Sequence, residues 1–238
     1  MNFFEGIPLY QISLFVLGAF FFLVLVFAFV TLLLRGKPYG KLLVFFVIPI
    51  VMMGFPAIKS FQYKGLVVTL DQSTAALQKD PTNTALRDQV QDQVKQVANQ
   101  PNQSPQTMLK IAASQFALGQ EANAKALLQK ALPTSSQLPE AVNLQKRIEL
   151  NDQLKAQTAQ VVQHPADATA KTDLQKTLSD ASKLQIANPH LLGEIAQAHS
   201  VLGNQTEALT LADKALKIDP NLENAKQAKI RALAVRPQ

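Results

Sequence analysis

Ile111-Ala112-Ala113-Ser114-Gln115-Phe116-Ala117-Leu118-Gly119 returns 84 positions later (195 − 111) as Ile195-Ala196-Gln197-Ala198-His199-Ser200-Val201-Leu202-Gly203. Ala124 likewise falls on Ala208, and Lys130-Ala131-Leu132 on Lys214-Ala215-Leu216. Pro81 and Pro105 return as Pro165 and Pro189, so residues 81–149 and 165–233 are two copies in one phase without a gap. A period kept over that length implies stacked copies of one supersecondary unit, each burying its apolar face on its neighbour. Folds built this way bind partners far more often than they catalyse reactions.

The unit is helical. From Val67 onward the chain is rich in Ala, Gln and Leu, poor in Gly, and shows no sustained alternation of β-branched residues. Asp80-Pro81-Thr82-Asn83, Asn99 to Pro105, Pro133 to Pro139, Pro165, Asn188-Pro189, Asn204 and Asp219-Pro220 punctuate it. These breaks predict helices over 66–79, 84–98, 105–118, 121–132, 139–163, 167–184, 189–202, 205–217 and 221–235. The stretch 139–163 holds no breaker, and reads as one long helix or as two with a joint near Asn151-Asp152.

In this phase the residues resemble the tetratricopeptide repeat (TPR), a helix-turn-helix of about 34 residues with small residues where its helices cross. Leu192, Ile195, Ala196, Gly203, Ala208, Ala215 and Pro220 match its pattern in the second copy. Met108, Ile111, Ala112, Gly119, Ala124 and Ala131 match it in the first, where Ser136 replaces the closing proline. Gln115 and His199 stand where the family usually has a large aromatic. The resemblance is strongest over 105–136 and 189–222 and weaker over 66–100 and 139–185, where the helices are longer than such a unit allows. It implies an α-solenoid of helix hairpins whose first helices line a groove. That groove would carry Gln106, Leu109, Ala113 and Phe116 from one copy, and His190, Gly193, Gln197 and Ser200 from the other. The basic and Asn residues with which some TPR domains clamp a terminal carboxylate are replaced by Leu109, Ala113 and Ala117.

Residues 1–64 differ in kind. Gln11 to Leu34 is a nearly unbroken apolar run, long enough to cross a bilayer core of about 30 Å as a helix. A basic turn containing Arg35, Lys37 and Lys41 leads to a second run, Leu42 to Ile58, which Pro49, Gly54 and Pro56 are expected to kink. This predicts an all-α protein: a transmembrane helical hairpin over 1–64, with spans 11–34 and 42–58, followed by the repeat domain over 65–238. Met1 to Glu5 supplies an acid and no base, and no small-x-small site follows the first run, so the run reads as an anchor rather than a cleaved signal. The bases of the turn outweigh Lys59 and Lys64, which predicts a cytoplasmic turn and extracytoplasmic ends. In a bacterium the hairpin would lie in the inner membrane and the repeats in the periplasm.

The net charge is +6, of which Arg35, Lys37, Lys41, Lys59 and Lys64 against Glu5 account for +4, leaving +2 for the longer repeat domain. Acids and bases alternate there as on a solvated face, with no basic stripe for nucleic acid. The chain has no cysteine, which removes disulfides, zinc-thiolate sites and a thiol nucleophile. His164, His190 and His199 read as surface or helix-end residues rather than metal ligands. No phosphate loop or hydrolase motif is present. No catalytic residue, metal, cofactor or small-molecule substrate is expected; the partners are proteins and the lipid bilayer. The expected function is a membrane-anchored adaptor or scaffold. The alternative is a structural or assembly subunit of a membrane complex, held by its hairpin. Two spans followed by repeats are similar in organisation to the TPR subunit of cytochrome c maturation systems, although that family has a long loop where this chain has a short basic turn.

Overall fold

The computed structural model describes residues 8–36, 38 and 40–234, and every regular element among them is an α-helix. The chain divides into two compact units. One holds the residues up to Val68 together with Gln96–Ser104, and the other holds Thr69–Lys95 and the chain from Pro105 onward.

In the first unit, α1 spans Leu9–Leu34, α2 spans Gly40–Phe45, and α3 begins at Val47 and runs to Lys79. Both α1 and the stretch Gly40–Lys79 are long and apolar enough to cross a membrane. At about 1.5 Å per residue the 26 residues of α1 reach about 39 Å. Phe20, Phe21, Leu23 and Phe27 on α1 point outward with their apolar surface uncovered.

The second apolar run departs from expectation in two places. The helix breaks at Phe46, because Pro49 has no N–H to return to the Phe45 carbonyl. Phe22 and Phe29 of α1 meet the Phe46 ring edge-on, at centroid distances of 5.5 and 6.4 Å. From Val47 the helix then passes through Gly54 and Pro56 without interruption. No new helix starts near 66: Lys59 to Gly65 contains no proline, and one glycine costs a helix only about 1 kcal/mol. Glu5 and Lys37, two charges behind the expected orientation, lie outside the described residues, as does Val235 at the expected end of the last helix.

Gly18 is a point of close approach between α1 and α3. A Cβ there would stand 2.9 Å from Met52 Cβ and 3.2 Å from the Pro49 carbonyl oxygen, whereas a Cβ at Gly54 would meet nothing. Close backbone approach over a small residue is how helices associate in lipid, where burial of apolar surface supplies no driving force. Gly18→Leu is expected to cost about 1–3 kcal/mol of overpacking, seen as a lowered melting temperature in detergent micelles. Gly54→Leu should leave melting unchanged.

The second unit repeats its element boundaries at the sequence period. It contains α4 (Thr84–Ala98, through Lys95), α5 (Pro105–Ala117), α6 (Glu121–Ser135), α7 (Pro139–Gln163), α8 (Ala168–Ser182), α9 (Pro189–Val201), α10 (Gln205–Ile218) and α11 (Glu223–Ala234). Shifted by one period, α4 coincides with α8, α5 with α9, and the starts of α6 and α7 with those of α10 and α11. The period is the sum of two unequal steps, a shorter one from Pro105 to Pro139 and a longer one from Pro139 to Pro189. The longer step contains α7, which is a single helix of 25 residues. Asn151 makes no joint in it, because its amide is turned inward and donates to Glu121 at 3.2 Å.

Capping follows the same period. Asn83 Oδ1 accepts from Leu86 N at 3.1 Å, and its counterpart in the second copy, Asp167 Oδ1, accepts from Thr169 N at 2.9 Å. Past its expected stop at 132, α6 runs through Pro133 to Ser135, whose Oγ donates to the Ala131 carbonyl.

Within the unit α5 packs on α6, α7 on α8 and α9, and α9 on both α10 and α11. One apolar core runs from α5 to α9 through Leu109, Phe116, Leu154, Leu174, Leu191 and Ile195. Two smaller cores join α9 to the last two helices, one of Leu192, Ala215, Leu222 and Ala225, the other of Ala196, Ala212 and Ala228. Ile111, Ala112, Ala124, Ala131, Ile195, Ala196, Ala208 and Ala215 are all buried. Pro220 is exposed in the turn after α10.

Gly119 and Gly203 close the first helices with φ of +87° and +86°. Gln120 N donates to Gln115 O at 2.8 Å, and Asn204 N to His199 O at 2.9 Å, which satisfies carbonyls at the helix ends. The glycines differ in their surroundings. A Cβ on Gly119 would stand 3.1 Å from the His190 ring and 3.2 Å from Pro189, while one on Gly203 would meet nothing. Gly203→Ala is therefore expected to cost about 1–2 kcal/mol from the left-handed backbone alone. Gly119→Ala should cost more, and equal losses in thermal melts would contradict this account.

Candidate partner-binding surface

The residues expected to line a groove fall into two groups. On α5, Gln106 is exposed, Ala113 is half-buried against the core, and Leu109 and Phe116 are core side chains only 2% and 3% exposed. On α9, His190 is exposed and Gln197 half-buried, while Ser200 is buried and donates to the Gln197 carbonyl at 2.8 Å. Leu109, Phe116 and Ser200 therefore have little surface to offer, and Gln106, Ala113, His190 and Gln197 remain reachable. Between the two helices, α7 packs against both α5 and α9.

The α9 group is completed by residues that the sequence reading did not single out. Asn224 of α11 donates to the His190 carbonyl at 3.2 Å and to Glu194 Oε1 at 3.1 Å. Gly193 makes room for it: a Cβ there would lie 2.7 Å from Asn224 Cγ. One turn further on, Gln197 donates to Gln227 Oε1 at 3.3 Å, and Gln227 donates to Glu223 Oε1 at 3.1 Å. The result is a row of amide side chains along α9 and α11 in which both N–H groups of Asn224 are engaged by the protein, while Gln197 and Gln227 each use one of two within the row. A lone acid inside Leu191-Leu192-Gly193-Glu194-Ile195-Ala196 was the one sequence signal for this arrangement.

Close to this row a polar network ties the helix ends together. Glu121, at the start of α6, accepts from Asn151 of α7 and from Asn188 Nδ2, each at 3.2 Å. Asn188 in turn caps α9, its Oδ1 accepting from His190 N at 2.8 Å and from Leu191 N at 3.2 Å. Arg87 of α4 donates to the Leu118 carbonyl at 3.0 Å and to the Ala187 carbonyl at 3.3 Å. Burial lowers the Arg87 pKa, with Asp219 and Asp88 acting in the opposite sense. The Leu118 carbonyl follows the end of α5 and the Ala187 carbonyl lies buried in the segment before α9, so the guanidinium satisfies one helix-end and one loop acceptor.

Burial raises the Glu194 carboxyl above its ordinary value. Glu121 adds to the rise, while the hydrogen bond from Asn224, Lys155 and His190 oppose it. A carboxyl whose folded-state pKa lies above its unfolded one contributes its stability at low pH, and that contribution is lost as pH rises through the carboxylate range and above. Glu194→Gln should accordingly melt at the same or a higher temperature at neutral pH, with the difference from the parent closing as pH falls through that range. A lower melting point at neutral pH would show that Asn224 and Lys155 more than offset the cost of burial.

Burial lowers the His199 pKa, Glu207 opposing, and its Nδ1 lies 3.2 Å from Asn204 Nδ2. The amide can donate there only to an unprotonated nitrogen. Among the described residues no three His, Cys, Asp or Glu side chains gather closely enough to hold a metal ion.

No family model, curated protein or solved structure matches this chain. The resemblance to tetratricopeptide repeats rests on the sequence pattern alone.

Proposed function

We propose that this protein is a membrane-anchored, TPR-like adaptor whose helical unit docks a partner protein. The observation that carries the reading is the amide row on α9 and α11, where Gln197, Gln227 and Asn224 lie on helices joined by an alanine core. Side chains that both donate and accept suit the main chain of an extended segment, whose N–H and C=O groups alternate. The outward apolar surface of α1 and of the second apolar stretch supports anchoring in lipid. In the sequence the turn bases Arg35, Lys37 and Lys41 outnumber Lys59 and Lys64, which favours a cytoplasmic turn with the repeats on the opposite side, in a bacterium the periplasmic face of the inner membrane. Confinement to that surface raises the effective concentration towards other membrane proteins, so modest affinity suffices. The binding role requires no catalytic group and no cofactor.

A photo-crosslinking residue placed in turn at Gln106, Gln197 and Gln153 of the full chain tests this in native membranes. Gln153 is exposed on α7. One defined protein captured from Gln197 or Gln106 and not from Gln153 is the expected result. Equal capture of membrane neighbours from all three positions, or of nothing, would replace the adaptor with a subunit held mainly by its hairpin.

A further inference from the structure

The last helix presents an apolar stripe that its own unit leaves bare. The inner face of α11, Ala225, Ala228 and Ala232, is fully buried, whereas on the opposite side Ile230 is 68% exposed and Leu233 48%. With Lys226 these two occupy i, i+4 and i+7, one face of the helix. Two other helices show what this stripe is. On α9 the equivalent positions, one short step back along the chain, are Leu192, Ala196 and His199; there α10 and the last helix provide cover together, Leu192 sharing a core with Ala215, Leu222 and Ala225, and Ala196 one with Ala212 and Ala228. On α7, one full period back, they are Val142, Lys146 and Glu149, and two of the three are charged. The covered stripe is apolar where α10 meets it, with a small residue, Ala196, at its centre, and the stripe on α7 is mostly charged. Of the three, α11 combines an open position with large apolar side chains.

We propose that this face docks one helix of a partner protein, which completes on α11 the pairing that α10 completes on α9. Size and charge define the partner helix. Ile230 stands where α9 has Ala196, so the incoming helix must present small residues, spaced as Ala208, Ala212 and Ala215 are spaced on α10. Lys226 lies within the stripe and, among the described residues, has no carboxylate at salt-bridge distance, while Lys229 at its edge is paired with Asp213 at 2.7 Å. The partner helix therefore carries Asp or Glu beside its small residues. A second copy of α11 fits the stripe less well, since in parallel register it would set Lys226 against Lys226 and in antiparallel register Ile230 against Ile230 rather than against a small residue. This surface lies on the side of α11 away from its packed face and does not depend on the amide row, so its failure and that of the adaptor reading are separable.

The probe is a fluorescent, hydrocarbon-stapled peptide with the sequence of residues 205–218 carrying Lys214→Glu and Lys217→Glu. It is titrated against the full chain in detergent micelles. Saturable binding is expected, absent for a scrambled stapled peptide and weakened about tenfold, or about 1.4 kcal/mol, by Ile230→Lys. Lys226→Glu should weaken it as well and should favour the version that keeps Lys214 and Lys217. Ile230 is exposed and Lys226 half-buried, and an unchanged melting curve checks that each variant folds. Binding no better than the scrambled peptide, or insensitive to both substitutions, overturns the proposal. So does disulfide dimerisation of an Ile230→Cys variant in membranes, which would assign the face to a second copy.

Discussion

Alanine sets the distance between helices in the repeat unit, and most of the structure follows from that spacing. Ala124, Ala131, Ala196, Ala208, Ala212, Ala215, Ala225 and Ala228 are all without solvent exposure. With only a methyl group at each crossing, backbones approach closely and larger side chains are directed to the flanks, where Leu109, Leu154, Leu174 and Ile195 fill the core. Close crossings leave little tolerance for volume change. They also bring helix ends and turns against neighbouring helices, away from water.

Those covered ends explain the polar network. Arg87 satisfies carbonyls at Leu118 and Ala187, and Glu121 holds Asn151 and the capping residue Asn188. Each of these side chains removes the cost of an unpaired backbone or amide group. Gly119 serves the same packing from the backbone side, since its turn lies against Pro189 and His190 with little room for a Cβ. The same packing leaves Asn224 and Gln227 presented beside Gln197, so the surface proposed to bind is a by-product of how the helices are tied.

The two long apolar helices follow a different pattern. Their outward phenylalanines and leucines have no protein cover, and a tight approach between them uses Gly18 rather than a large side chain. Pro49 interrupts the second run at Phe46, where two rings of α1 close over the break. Pro56, deeper in α3, leaves the helix intact.

Periodicity was the strongest signal in the chain, and it is local chemistry. Gly119 and Gly203 adopt a left-handed turn, Asn83 and Asp167 cap helices, and Pro105, Pro139 and Pro189 start them. These features depend on a few neighbouring residues, so α4 through α11 were legible from sequence to within a few positions. Apolar length likewise marked the chain up to Ile58 as two long apolar segments, because an unbroken run of apolar side chains needs no tertiary context to be recognised. What the sequence left open depended on distant contacts. Whether 139–163 was one helix or two turned on Asn151 finding Glu121, far back along the chain. Whether Leu109, Phe116 and Ser200 faced a groove or the core turned on α7 packing against both α5 and α9. The buried Glu194 with its Asn224 partner, and Arg87 with its two carbonyls, join positions remote in sequence. Local rules place side chains on a helix face; only the packing of other helices decides whether that face meets water, protein or a partner.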